Sequence, residues 1–291
     1  MTERTIQTAF DVLLSRKVPT DTERSAAARH RQSVETALAR LENFGLRETG
    51  SFRHGTAVRG HSDVDVIVSL GGTQPNNSDT ALERVKGALS ASFWSTPIRV
   101  SRPAVVVDFA GGTEKWEVIP GYFLRKAGDH AVYSIPAPGG GWMESSPGTH
   151  LAYVTDANRS PSGGAKGLAR LMKAWKYANP TVAKSLSSFY LEMRAAQRMS
   201  RESSFIAYLD FAYLMRDLAS GGLADMNDPT GVTGRIRASR TDGLRETALA
   251  TLSGDAKRVI DAIELEKVGR RAEAWAKLDY VFPGAFPARF Y

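Results

Sequence analysis

The chain contains no cysteine. That excludes disulfides, thiolate metal sites and a cysteine nucleophile, and it leaves the redox compartment undecided. No apolar run is long enough to span a bilayer, and the N-terminal stretch MTERTIQTAFDV lacks the layout of a signal peptide. With no targeting segment and no membrane span, the expected location is the cytoplasm. No internal repeat or low-complexity tract is present. Acidic side chains are in deficit, 31 against 38 basic ones, giving a net charge of +7. A basic surplus favours polyanionic partners: nucleoside triphosphates foremost, then RNA or DNA.

At 291 residues the chain exceeds one typical domain and suits two lobes around a cleft. One stretch organises it: Gly50-Ser51-Phe52-Arg53-His54-Gly55-Thr56-Ala57, then Ser62-Asp63-Val64-Asp65-Val66-Ile67-Val68. Alternate residues of a strand share a face, so Asp63 and Asp65 aim at one spot while Val64 and Val66 point into a core. Converging carboxylates repel unless a cation lies between them. All-oxygen ligands combined with phosphate suit Mg²⁺, or Mn²⁺. Upstream, Gly50 and Gly55 free the backbone for turns, and Ser51 and Thr56 offer hydroxyls, the equipment for gripping a phosphate chain.

Hydrophobic spacing predicts helices over residues 2–16 and 21–43, and strands over 46–50 and 63–70. After the loop 71–79, Asp79 caps a helix bearing Leu82, Val85 and Leu89. Residues 98–101 and 104–109 read as strands, and 116–119 as the return strand of a hairpin. If that hairpin is regular about residues 110–115, Asp108 opposes Glu117 on the face of the acid pair. Residues 132–135 suggest one more strand, and 136–141 with Trp142 a rim loop. Helices follow. Residues 163–177 carry a buried stripe (Leu168, Leu171, Met172, Trp175) and a basic one (Lys166, Arg170, Lys173, Tyr177). A further helix is predicted over 203–219, a loop over 221–231, and a helical tail from about 242.

The GSFRHGTA and SDVDV segments resemble the signature of polymerase-β-like nucleotidyltransferases. More narrowly they resemble the cGAS/DncV-like group, the CD-NTases of bacterial anti-phage signalling. The resemblance implies an α+β, two-lobed architecture around a cleft: a mixed β-sheet catalytic lobe over residues 1–145, including the N-terminal helices, and a helical-bundle nucleotide-binding lobe over 146–291. It implies Asp63, Asp65 and a third acid as metal ligands and catalytic residues. Glu117 fills the slot before the Val118-Ile119-Pro120 step, although the family usually has Asp there; Asp108 is the other candidate. Gly50 and Ser51 would bind the triphosphate. Lys173, in the Leu171-Met172-Lys173-Ala174-Trp175 context, would contact it too. Ser187 and Ser188 would meet base or phosphates, with Phe189 or Tyr190 stacking on the base.

The activity so implied is a template-independent synthesis, on two Mg²⁺ ions, of a cyclic di- or trinucleotide second messenger. ATP is the expected substrate, pyrophosphate the by-product, and a separate effector the recipient of the signal. The implied protein is a monomer with no membrane partner, and an RNA regulator is left open. The chain ends in PARFY, so conjugation through a small terminal residue is not expected. Two other readings compete: transfer of a nucleotide to RNA, an antibiotic or a protein, and a non-enzymatic nucleotide sensor. The intact Asp63/Asp65 pair speaks against the sensor.

Overall fold

A computed structural model describes residues 2–61, 63–110, 114–160 and 163–290, apart from the side chains of residues 24 and 26–28. The elements in chain order are α1 (Ile6–Arg16), α2 (Asp21–Leu38), β1 (Asn43–Thr49), α3 (Gly50–His54), β2 (Val64–Leu70), α4 (Ser78–Ser90), β3 (Ile98–Ser101), β4 (Ala104–Phe109), β5 (Glu114–Ala127), β6 (His130–Pro136) and β7 (Trp142–Ser145). There follow α5 (Pro147–Arg159), α6 (Ala165–Ala178), α7 (Pro180–Ser185), α8 (Ser188–Met199), α9 (Ala207–Ser220), β8 (Met226–Asn227), β9 (Arg235–Ile236), α10 (Asp242–Lys267) and α11 (Arg271–Val281). The chain divides into two compact units. One covers residues 19–152 with 230–234; the other covers 1–18, 153–229 and 235–291.

The first unit is built on a seven-stranded mixed sheet in the order β1-β2-β5-β4-β3, with β6 paired to β5 and β7 to β6. Among the described residues only β2 and β5 run parallel in this sheet. Along β2 the period of two is visible in the packing. Val64, Val66, Val68 and Leu70 join Val34, Leu38, Leu82, Val85 and Leu89 of α2 and α4 in one core, with Trp116 and Val118 of β5. Ile67 turns the other way, into a smaller cluster with Ile119, Tyr133 and Ile135. Fully burying each such aliphatic side chain contributes roughly 1.5–3 kcal/mol. That energy fixes the register, because a one-residue slip would bring the carboxylates into the core.

Several boundaries differ from those the sequence predicts. Helix α2 stops at Leu38 because Asn43 takes over its end, its amide donating to the carbonyls of Leu38 and Leu41, each at 2.9 Å. Asn77 caps α4, accepting from the Asp79 amide at 2.9 Å, so Asp79 lies inside the helix. Strand β5 continues to Ala127 because its second half finds a separate partner in β6. Trp142 belongs to β7 rather than to a rim loop, and its indole donates to Pro75 O at 3.0 Å.

The division between units also differs from the expected boundary near 145. The chain changes unit at 152/153, and α1 packs with the C-terminal helices instead of the sheet. Its stripe of Ile6, Phe10 and Leu13 is fully buried. The reason is the aromatic cluster it meets: the Phe10 ring lies 5.5–6.0 Å from those of Phe211, Phe282 and Phe286. In the same unit α6 and α8 run antiparallel, Lys173 meeting Glu192 and Lys176 meeting Ser188, and Trp175 is buried with its indole donating to Asp255 Oδ2 at 2.9 Å. Among the described residues no helix is long and apolar enough to cross a membrane.

Candidate active site

Strand β2 lies between β1 and β5, and the register sets Thr49 and Glu117 on either side of Asp65. Gly50, next after Thr49, opens α3 at φ +66°, a conformation that favours glycine. A Cβ on Gly50 would fall inside the Asp65 carboxyl group. The acid is therefore seated directly on the glycine backbone. Only a residue without a side chain permits this approach.

Glu117 stands against the other side of Asp65. Its pKa is raised above the ordinary glutamate value, first by burial and then by the negative charge of Asp63; a hydrogen bond with Asp65 and the charges of Lys115 and Arg99 act in the opposite sense. Asp63, Asp65 and Glu117 are thus within electrostatic reach of one another. Hard oxygen donors crowded in this way suit a divalent cation. Among the described residues, however, no three acidic or histidine side chains already stand at metal-cage spacing. The cluster supplies the donors, with Asp65 and Glu117 turned toward each other. Ser62 and the hairpin residues 111–113 lie outside the described residues.

The expected opposition of Asp108 and Glu117 is incorrect. Asp108 pairs with Lys115, and Glu117 with Val106, a register two residues away. The connection is shorter than assumed, because Ala110 turns the chain at φ +48° immediately after Phe109 and Glu114 already pairs with Phe109. Alternation still leaves Asp108 on the face of Glu117. Its carboxylate is ion-paired with Arg99, a cation on the neighbouring strand. Glu117 adjoins Asp65 while Asp108 is held by an arginine, so the geometry favours Glu117 as the third acid.

The other residues of the signature have distinct places. Ser51 is half-buried in the first turn of α3, and its carbonyl accepts from Thr56 N at 2.9 Å. Thr56 is fully buried, which makes it part of the turn's packing.

In the helical unit, Lys173 is buried at 2% exposure and ion-paired with Glu192, also 2% exposed. One helical turn along α6, Lys176 donates to Ser188 Oγ at 2.6 Å, and the Tyr177 hydroxyl lies 3.2 Å from the same oxygen. Ser187 caps α8 by accepting from Tyr190 N at 3.2 Å. Tyr190 is fully buried and donates to Ala224 O at 2.8 Å, whereas Phe189 is exposed. Of the two aromatics considered for stacking, only Phe189 presents its ring outward.

The profile of the Second Messenger Oligonucleotide or Dinucleotide Synthetase domain, SMODS, matches residues 4–158, just over half the chain. This protein is a member of the SMODS family. A cyclic AMP-AMP-AMP synthase of Escherichia coli (strain MS 115-1) is 24% identical to it over 216 residues, covering 68% of this chain and 66% of that protein. This chain therefore aligns with just under two thirds of that relative's length. The solved structure of E. coli MS115-1 CdnC with ATP superposes with a TM-score of 0.75 at 18% identity, covering 97% of this chain and 99% of that one. The CD-NTase CdnG of Bradyrhizobium diazoefficiens, solved with GTP, gives 0.72 at 12% identity, covering 96% and 98%. The SMODS chain shares the polymerase-β-like fold of these CD-NTases.

Two residues of this SMODS chain escape a motif-based reading. Glu192 neutralises Lys173, and Lys176 holds Ser188. The signal for Lys176 was present: it lies four residues after Met172, so helical periodicity puts it on the buried stripe rather than the basic one.

Proposed function

We propose that this SMODS protein is a template-independent nucleotidyltransferase that joins nucleoside triphosphates into a cyclic oligonucleotide and releases pyrophosphate. The observation that carries the reading is Asp65 seated on the backbone of Gly50 with Glu117 on its other side. That arrangement sets acidic donors beside a short turn suited to a triphosphate.

Asp63, Asp65 and Glu117 would hold the metal, and a bound pair of Mg²⁺ ions would neutralise phosphate charge and acidify a ribose hydroxyl. The chain's own residues bind and orient. Gly50 and Ser51 offer a backbone N–H and a hydroxyl to the triphosphate. Lys173 is assigned a point charge on it by the family resemblance, and Ser187 and Ser188 are assigned contacts to base or phosphate, with Phe189 the aromatic available for stacking. The ribose hydroxyl attacks the α-phosphorus in line, the new P–O bond forms as the bond to pyrophosphate breaks, and no side chain is a covalent nucleophile.

ATP is the proposed substrate. The relative's name, cyclic AMP-AMP-AMP synthase, favours a ring of adenylates. The product would act as a second messenger in anti-phage signalling. Incubation with nucleoside triphosphates and Mg²⁺ alone tests the reading. A phosphatase-resistant product supports it, whereas product formed only when RNA, an antibiotic or a protein acceptor is added would assign the chain to a different transferase class.

A further inference from the structure

Helices α6 and α8 face each other through two polar rungs. Lys173 meets Glu192, and one turn away Lys176 meets Ser188. A later residue of α6 thus meets an earlier one of α8, so the two helices run antiparallel. The first rung joins two charges. The second sets a lysine of 7% exposure against a neutral hydroxyl at the first position of α8.

A serine oxygen that accepts from an ammonium has one lone pair committed, which restricts the direction of its own O–H. The donation also polarises the hydroxyl and makes it a stronger donor in turn. Tyr177 OH, 3.2 Å from the same oxygen, narrows the remaining directions. Lys176 itself is confined, with its ammonium 4.9 Å from the centre of the Tyr177 ring. The cluster reads as a device for orienting one hydroxyl.

We infer that Lys176 is a positioning residue for nucleotide binding: it fixes the Ser188 hydroxyl as a polarised donor toward the bound nucleoside triphosphate. This rests on the proposed reading that Ser188 touches the nucleotide. Lys173 forms its own rung, an ion pair with Glu192 one turn beyond Ser188.

The test is a double-variant cycle on the full chain, with α,β-methylene-ATP and Mg²⁺ as the calorimetric probe and KM for ATP measured in parallel. Lys176→Met should weaken binding about tenfold, the scale of losing one charge-assisted hydrogen bond. Ser188→Ala should weaken it by a similar factor. The double variant should be no weaker than either single, since both remove the same contact. KM should rise with kcat nearly unchanged, a split that general loosening of the fold would not produce. Lys176→Gln stands in if the Met variant does not fold. Normal affinity in a folded Lys176 variant, with Ser188→Ala impaired, would overturn the inference alone. Normal affinity in Ser188→Ala would overturn the nucleotide role of Ser188 and the inference with it.

Discussion

The Asp65 carboxyl group occupies the space that a Cβ on Gly50 would need. Gly50 also has φ +66°. Replacing it with alanine adds a left-handed backbone cost of roughly 1–2 kcal/mol and forces Asp65 off its seat. Displacing a catalytic group by about 1 Å can cost on the order of 100-fold in rate. Gly50→Ala should therefore lose at least about 100-fold in product formation while keeping its far-ultraviolet circular dichroism. Activity within about tenfold of wild type would show that the seat does not matter.

The two candidate third acids separate by substitution. Glu117→Gln removes the carboxylate adjoining Asp65 and should reduce turnover by about 100- to 1,000-fold, the scale seen when one preorganised electrostatic group is removed. Asp108→Asn breaks the ion pair with Arg99 on the outer strands and should cost less than about tenfold, because a partly exposed pair contributes little. The reverse ranking in steady-state rates would exchange their roles.

The raised pKa of Glu117 predicts a pH dependence. Burial and the Asp63 charge favour the neutral acid in the folded, metal-free protein. Its contribution to stability is fully present below the unfolded-state pKa and is lost as pH rises through the higher folded-state value. Magnesium held by Glu117, as proposed, would need the carboxylate, so its binding would expel the proton and strengthen with pH. Without metal, Glu117 should thus lower the unfolding temperature as pH climbs from the ordinary glutamate range toward neutrality. The increment gained on adding Mg²⁺ should grow over the same interval, and both trends should flatten in Glu117→Gln. Calorimetric scans across pH, with and without Mg²⁺, check this.

The buried Lys173–Glu192 pair makes a stability prediction. Lys173→Met removes the cation paired with the buried Glu192 carboxylate and should destabilise by about 3–5 kcal/mol. At about 2–4 °C per kcal/mol, the unfolding temperature should drop by roughly 10 °C. Lys173→Met with Glu192→Leu should recover much of that loss, because an apolar pair replaces both charges. If Lys173 also contacts the triphosphate, the recovered protein will still bind ATP poorly. Restored stability together with restored affinity would confine the pair to a structural role.

Much of the acidic strand is legible in the sequence. Val64, Val66 and Val68 alternate with Asp63, Asp65 and Ile67, and burial on both faces leaves that alternation only one register. The glycine before Ser51 was legible as a backbone requirement, but its contact with Asp65 was not, since it depends on how β1 and β2 pair. The Asp108 register was hidden in the hairpin: Ala110 turns at φ +48°, a conformation that an alanine does not advertise. The place of α1 was hidden because its stripe fits any apolar surface, and the choice was made by distant Phe211, Phe282 and Phe286. Lys176 is hard to place from sequence because lysine is ordinarily solvated, although its spacing from Met172 puts it inside.

The most direct test of the account is mass spectrometry of the products formed from a mixed pool of nucleoside triphosphates with Mg²⁺ and no acceptor, comparing the wild-type chain with the Asp63→Asn/Asp65→Asn double variant. The account predicts a cyclic oligonucleotide containing adenylate from the wild type, pyrophosphate in step with it, and neither from the variant. Undiminished cyclic product from the double variant, or only acceptor-linked nucleotide from the wild type, would contradict it.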